Sequence, residues 1–269
     1  MICDFHNDVL TKEGAAEDAV PQGRAAGAVC AVFRGGRSFS GVAAIAERFN
    51  AERAEGLWLG LEDIGYFTRE RSARICGWRP VYASLTWNGE NGLAGGCLSE
   101  ARLTPLGKEA VCALSESGIC VDVSHLNAAS FCDVLGCAPY GVVASHSCFA
   151  AVRKHPRNLC DWQAREIAAR GGLIGVAFVG AFLTGGRARA FDAVRHIAYG
   201  AEKFGVAHIC IGSDFCGTDD LPADLRGYAQ AEALRGMLAR EGFSAEETER
   251  ILVGNLAEFL RSRGKRKEP

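Results

Sequence analysis

Six residues, His6, Asp8, Glu62, His125, His146 and Asp214, each fall at or just past the C-terminal end of a short apolar run. Imidazole nitrogen and carboxylate oxygen are the common zinc ligands beside thiolate. One ion needs three protein ligands and a water. Five or six candidates therefore point to two ions that share a bridging carboxylate. Two metals side by side clamp the attacking and leaving oxygens and acidify a water between them. His6 and Asp8 are two apart on an extended segment, so their side chains point the same way and an H-x-D pair can chelate one ion. Each residue also has a plainer reading. A histidine at a strand end is ordinarily a hydrogen-bonded structural residue. Glu62 reads equally as a solvated loop residue with Asp63 as its competitor, and Asp122 as a partner for backbone near Ser124. The common placement at strand ends is what favours a site.

The elements that must position these residues alternate along the chain. Apolar runs at Ile2–Asn7, Val29–Phe33, Leu57–Leu61, Pro80–Thr86, Ile119–Ser124, Gly141–Ser145, Leu173–Phe178 and His208–Ser213 read as strands. Several are continuous rather than alternating, as expected when both faces are buried. Between them, helical patterning covers Val42–Glu55, Pro105–Ser117, Ala128–Leu135, Asp161–Arg170, Phe191–Phe204, Ala223–Glu241 and Ala245–Arg261. Thr104 with Pro105 makes a helix start, Ser244 to Glu247 a capping box, and Gly118, Gly171 and Gly205 helix stops. Trp87–Leu103 and Gly180–Arg189 read as long Gly-rich loops after a strand, a kind of loop that is usually functional. Eight βα units predict an α/β chain folded as a single-domain (β/α)8 TIM barrel, with an open doubly wound sheet as the alternative. The strand ends of such a barrel open on one face, where active sites are built. Residues 1–262 are assigned to the barrel and 263–269 to a basic, frayed tail.

Composition narrows the partners. The chain has 269 residues, 48% hydrophobic and 23% charged, with a net charge of −2. That balance argues against a nucleic-acid or membrane surface. Twelve cysteines include no C-x-x-C pair, and Cys30, Cys112, Cys120 and Cys210 sit in apolar runs as small hydrophobes. No leader or spanning stretch is visible, so a reducing cytoplasm is the expected location. His155, His196 and His208 lack a strand-end context and read as surface or packing residues.

Several blocks of the sequence resemble the membrane (renal) dipeptidase family. They are Asp4-Phe5-His6-Asn7-Asp8, Leu103 to Lys108, Val121-Asp122-Val123-Ser124-His125, Ala144-Ser145-His146-Ser147, Arg157-Asn158, Gly212-Ser213-Asp214-Phe215 and Gly254-Asn255, in the family's own order. The S-H-S and D-x-S-H blocks are the distinctive ones. The resemblance implies a metal-dependent hydrolase that cleaves dipeptides, including those with a D-residue at the C-terminal position. It implies two zinc ions, with manganese or cobalt as alternatives, and a homodimer acting on a small-molecule substrate. Carried over, His6 and Asp8 hold one ion, His125 and His146 the other, and Glu62 bridges them. Asp214 handles the proton of the attacking water and then of the leaving amine. Arg157, eleven residues after His146, grips the substrate carboxylate; its plainer reading is a surface arginine paired with Asp161.

Three positions depart from the family pattern. Trp87 stands where a histidine is usual, Phe182 where a tyrosine helps hold the carboxylate, and Cys216 where an aspartate is common. These changes spare the ligands and alter the pocket, where Trp87 offers a wall for an apolar side chain. A binuclear amidase or lactonase acting on N-acyl amino acids or cyclic amides is the second reading. A catalytically inactive peptide-binding homologue is the third.

Overall fold

A computed structural model of the chain describes residues 1–138 and 141–264. Its eight described strands are β1 (Cys3–Asn7), β2 (Gly27–Phe33), β3 (Leu57–Glu62), β4 (Tyr82–Ser84), β5 (Cys120–Asp122), β6 (Val142–Ser147), β7 (Ile174–Val176) and β8 (Ile209–Ile211). All pair in parallel with their sequence neighbours, and β1 pairs with β8, so the sheet closes into a barrel. All eight expected strands are present; β1, β4, β5, β7 and β8 are shorter than expected, while β2 starts earlier and β3 and β6 run further. The continuous apolar runs are explained by burial on both faces: strand side chains either fill the barrel or pack under the helices.

The helices are α1 (Phe39–Glu52), α2 (Arg69–Gly77), α3 (Pro105–Glu116), α4 (Ala128–Cys137), α5 (Asp161–Ala169), α6 (Gly180–Leu183), α7 (Ala190–Phe204), α8 (Tyr228–Ala231), α9 (Ala233–Arg240), α10 (Ala245–Glu249) and α11 (Asn255–Gly264). Thr104 caps α3 by accepting from Gly107 N, and Ser244 and Glu247 form the expected capping box. Gly118, Gly171 and Gly205 have positive φ where the preceding helices stop.

Four departures from the sequence reading have physical causes. Helix α2 shows no apolar period, because only Ile75 in Arg69–Gly77 is buried. The stretch expected as one helix over Ala223–Glu241 starts only at Tyr228, since Asp224 is drawn off to accept from Ala190 N and Arg189 at the start of α7. The Gly180–Arg189 loop opens with the short helix α6. The last stretch passes through a π-helical turn at Arg250–Gly254 before α11. Just after it, Asn255 donates to the carbonyls of Val206 (2.7 Å) and Ile209 (2.8 Å), tying the last helix to the start of β8.

Cys112 is exposed rather than a core thiol, because it falls on the outer face of α3. Arg263 lies within α11, donates to Gly118 O and stacks on Phe259. Lys265, Arg266 and Lys267 lie outside the described residues. No helix among the described residues is long and apolar enough to cross a membrane.

Barrel closure depends on missing side chains. A Cβ at Gly175 or at Gly212 would fall under 3.0 Å from the Ser145 carbonyl, so β6, β7 and β8 converge only because both residues are glycine. Gly212→Ala should therefore destabilise the fold by about 3 kcal/mol, as overpacking of a tight interior does. A urea unfolding midpoint equal to that of the parent would show that the strands do not approach so closely.

Candidate metal centre

The strand ends gather the six residues named above. His6 is on β1 with Asp8 just beyond it, Glu62 ends β3, His125 follows β5, His146 is on β6 and Asp214 follows β8. All but Asp214 are buried, and Asp214 is nearly so. His6 Nε2 lies 3.1 Å from Asp8 Oδ2, 3.5 Å from Glu62 Oε2 and 4.0 Å from Asp214 Oδ1. On the other side, His125 Nε2 lies 2.7 Å from Glu62 Oε1, and His146 Nε2 lies 3.9 Å from the same oxygen. Glu62 thus turns one oxygen to each group.

Backbone strain aims two of the carboxylates. Asp63 and Asp214 have φ of 59° and 61°, a left-handed conformation that non-glycine residues adopt at a cost. At Asp63 the reversal swings the side chain out of the centre. It accepts instead from Gly65 N and Asn91, and pairs with Arg34. That removes Asp63 as a competitor to Glu62. Gly217 completes the aiming: a Cβ there would fall under 3.0 Å from both Asp214 Oδ1 and Asp8 Oδ2.

The outer nitrogen of each ring has a partner that sets which nitrogen faces inward. His125 Nδ1 donates to Asn88 Oδ1 at 2.9 Å, which leaves Nε2 as a lone pair. Ser145 Oγ gives its proton to Asp122 Oδ2 at 2.6 Å, so it accepts from His146 Nδ1 at 2.8 Å and again leaves Nε2 free. His6 Nδ1 sits 2.7 Å from the Tyr82 hydroxyl. Three Nε2 atoms therefore converge, and those of His125 and His146 are only 2.9 Å apart. Burial, then the Arg157 charge, holds the His125 imidazole down at about 4. Burial, His6 and Arg157 hold His146 well below its ordinary range. Burial also opposes a charge on His6, but Tyr82, Asp8 and Glu62 outweigh it and raise His6 well above the ordinary value. For Glu62 burial is outweighed by His125 and His6, which hold it well below the carboxylate range. Asp214 goes the other way: burial, with repulsion from Asp8 and Glu62, holds it well above.

Two buried aspartates staple the strand ends. Asp122 accepts from Ser124 N and Oγ and from Ser145 N and Oγ, joining β5 to β6. Asp4 accepts from Ser213 N and Oγ and from Tyr228 OH, joining β1 to the residues after β8. Asp122 does bond backbone near Ser124, and it bonds Ser145 as well.

Arg157 is 5% exposed and does not pair with Asp161, which accepts from Tyr199. It donates through Nη2 to His125 Nε2 at 3.1 Å, while its Nη1 is buried without a hydrogen-bond partner. Its guanidinium carbon stands 5.2 Å from the centre of the Phe182 ring, and Asn158 ties the loop down by donating to Phe182 O. Trp87 and Phe182 both line the cleft of about 330 Å³ above the centre, as does Cys216. His196 is a packing residue between Phe149 N and Leu183 O, and His208 bonds Gly172 O. His155 packs against Phe182 with the rings tilted by 38°.

The donor set suits divalent cations. His6, Glu62 and His146 bring ligand atoms within 4.8 Å of one another, and so do His6, Asp8 and Asp214. Asp8 Oδ1 is buried with no hydrogen-bond partner, an expensive arrangement unless a cation neutralises it. Sequence reasoning missed Asn88, Tyr82 and Ser145 as the groups that orient the rings. Asn88→Leu should lower metal affinity about 10–100-fold, because His125 would lose the bond that selects its tautomer. Metal titration with a competing chelator checks this, and unchanged affinity would show that Asn88 does not orient His125.

Comparison with known proteins agrees with this architecture. Residues 74–267 match the family model described as membrane dipeptidase, peptidase family M19. An uncharacterised protein from the pqqA 5′ region of Klebsiella pneumoniae is 36% identical over 147 residues, 53% of this chain and 54% of that protein. Dipeptidase ataJ of Aspergillus terreus is 34% identical over 152 residues, 54% of this chain and 36% of that protein. The matches thus span about half or less of these curated relatives. Two solved structures share the fold. An amidohydrolase from Pseudomonas aeruginosa superposes with a TM-score of 0.85 at 19% identity, covering 98% of this chain and 96% of that one. A metallo peptidase from Rhodobacter sphaeroides, solved with a phosphinate mimic of the dipeptide L-Ala-D-Ala, gives 0.82 at 18% identity, covering 97% and 98%. With most of its length matched by the family model, the chain belongs to the membrane dipeptidase family, peptidase family M19.

Proposed function

We propose that this protein hydrolyses the peptide bond of dipeptides, using two divalent metal ions that are zinc by ligand type. The reading rests above all on Glu62, which turns Oε2 to His6 and Oε1 to His125 and His146. His6 and Asp8 would hold one ion, His125 and His146 the other, with Glu62 shared. When bound, such ions polarise a carbonyl and acidify a water.

The chain's own residues supply the rest. Arg157 binds the free C-terminal carboxylate of the substrate through its fork of donors, one of which has no partner within the protein. That contact holds the scissile carbonyl over the donor atoms of the strand ends, and its position on a buried arginine limits the substrate to short peptides. Asp214, held well above the carboxylate range by burial and by Asp8 and Glu62, is a stronger base than an ordinary carboxylate and takes a proton from the attacking water on a carboxylate oxygen. It then delivers that proton to the departing amine nitrogen as the C–N bond breaks. Phe182 supports the arginine, and Trp87 walls the far side of the cleft.

Metal content and activity test this directly. Elemental analysis should find about two zinc per chain, together with turnover of L,L or L,D dipeptides. Two metals without dipeptide turnover would move the substrate to N-acyl amino acids, cyclic amides or lactones, and no metal would end the reading. Asp214→Asn should lower kcat about 10²–10⁴-fold with metal content kept; near-normal turnover would remove its proton-carrying role. Arg157→Met should raise KM for dipeptides far more than for their C-terminal amides, and equal effects on both would remove the carboxylate contact.

A further inference from the structure

Around the mouth of the cleft, polarity is unevenly distributed. Arg157 and Phe182 follow β6 and β7. In a closed ring of eight strands β2 lies opposite β6, and the segment after β4 lies between the two, two strands from each. There Phe33, the last residue of β2, meets Trp87, just past β4, with ring centroids 5.6 Å apart. Trp87 stands 6.3 Å from the His125 ring, next to the donor atoms, yet it is 47% exposed. A tryptophan and a phenylalanine side by side at the rim of a buried polar centre form an apolar shelf that a ligand can cover. Two of the polar groups nearby are engaged within the protein. Lys12 pairs with Asp219 at 3.0 Å, and the Asn88 carbonyl accepts from His125.

We infer that the site selects dipeptides whose N-terminal residue carries an aromatic or large apolar side chain, which lies on the Trp87–Phe33 shelf. This rests on the dipeptidase reading above. With the substrate carboxylate on Arg157 and the scissile carbonyl over the metal ligands, the N-terminal residue extends past them toward β2 and β4. Its side chain then meets two aromatic faces rather than a charge. The shelf removes apolar surface from water on both partners and adds a ring–ring contact when the side chain is aromatic.

The experiment compares kcat/KM for Phe-Ala and Gly-Ala on the metal-loaded full chain. Phe-Ala should be favoured on the order of tenfold or more. Trp87→Ala should bring that ratio to within about threefold of unity, while Trp87→Phe keeps most of it. Phe33→Ala should move the ratio the same way as Trp87→Ala. Because only the ratio is read, a uniform loss of activity in any variant cancels. A parent ratio near one, or a parent-like ratio in Trp87→Ala, overturns the shelf while leaving dipeptide hydrolysis standing. No turnover of either peptide by the metal-loaded parent overturns the dipeptidase reading, and the shelf with it.

Discussion

The structure is organised around one electrostatic constraint: Glu62, Asp8 and Asp214 are gathered at one end of a barrel around a single histidine, His6. Removing each carboxylate from water costs several kcal/mol, and mutual repulsion adds to that cost. The protein meets part of it internally. Glu62 is held well below the carboxylate range, His6 is raised well above its ordinary value, and Asp214 is pushed well above the carboxylate range. Asp8 Oδ1 remains without a partner. Apolar residues would fill the same space at lower cost, so the arrangement makes physical sense as a cation site. The opposing pKa directions of neighbouring carboxyls are also the pattern that separates a permanent ligand from a proton carrier.

Holding that cluster requires rigid strand ends, and the same device is used twice. Asp122 clamps Ser124 and Ser145 across β5 and β6, and each of those serines is followed by a histidine of the centre. Asp4 clamps Ser213 across β1 and the end of β8, with His6 and Asp214 close beside. A charge-assisted hydrogen bond is about twice as strong as a neutral one, so a buried aspartate fixes its serines more firmly than an amide would. The left-handed backbone at Asp63 and Asp214 is sustained by these contacts. Ser84 accepts from Asp63 N, and His6 O accepts from Asp214 N.

What was legible in the sequence follows from where the information is local. Eight strands could be read because burial on both faces leaves continuous apolar runs, and α3, α5 and α7 because they carry an apolar stripe and caps. Helix α2 was not legible, since a helix that buries only Ile75 has no period to detect. The six central residues were legible as polar breaks at strand ends. Their partners were not: Tyr82 reaches His6 from 76 positions away, and Asn88 reaches His125 from 37. Nothing in a linear pattern marks a tyrosine inside an apolar run as the orienter of a distant ring. Asp63 also looked as eligible as Glu62, and only the reversal of φ at Asp63 separates them.

The division of labour around the barrel lets the lining of the cleft change without disturbing the polar centre. The central residues stand on, or one to three positions beyond, the strands, where neighbouring strands and the two aspartate clamps fix them. Trp87 stands where the β4 strand gives way to a long loop, and Phe182 on a four-residue helix that interrupts another. A side chain there can change without moving a strand, so substrate choice drifts more easily than ligation. Arg157 is the exception, being a loop residue that the fold buries. Asn158 anchors its loop to Phe182 O, and its guanidinium reaches a nitrogen of His125. A charge so buried, with one donor unsatisfied, is costly to keep for packing alone, and that cost ties Arg157 to the polar centre at the strand ends rather than to the rim.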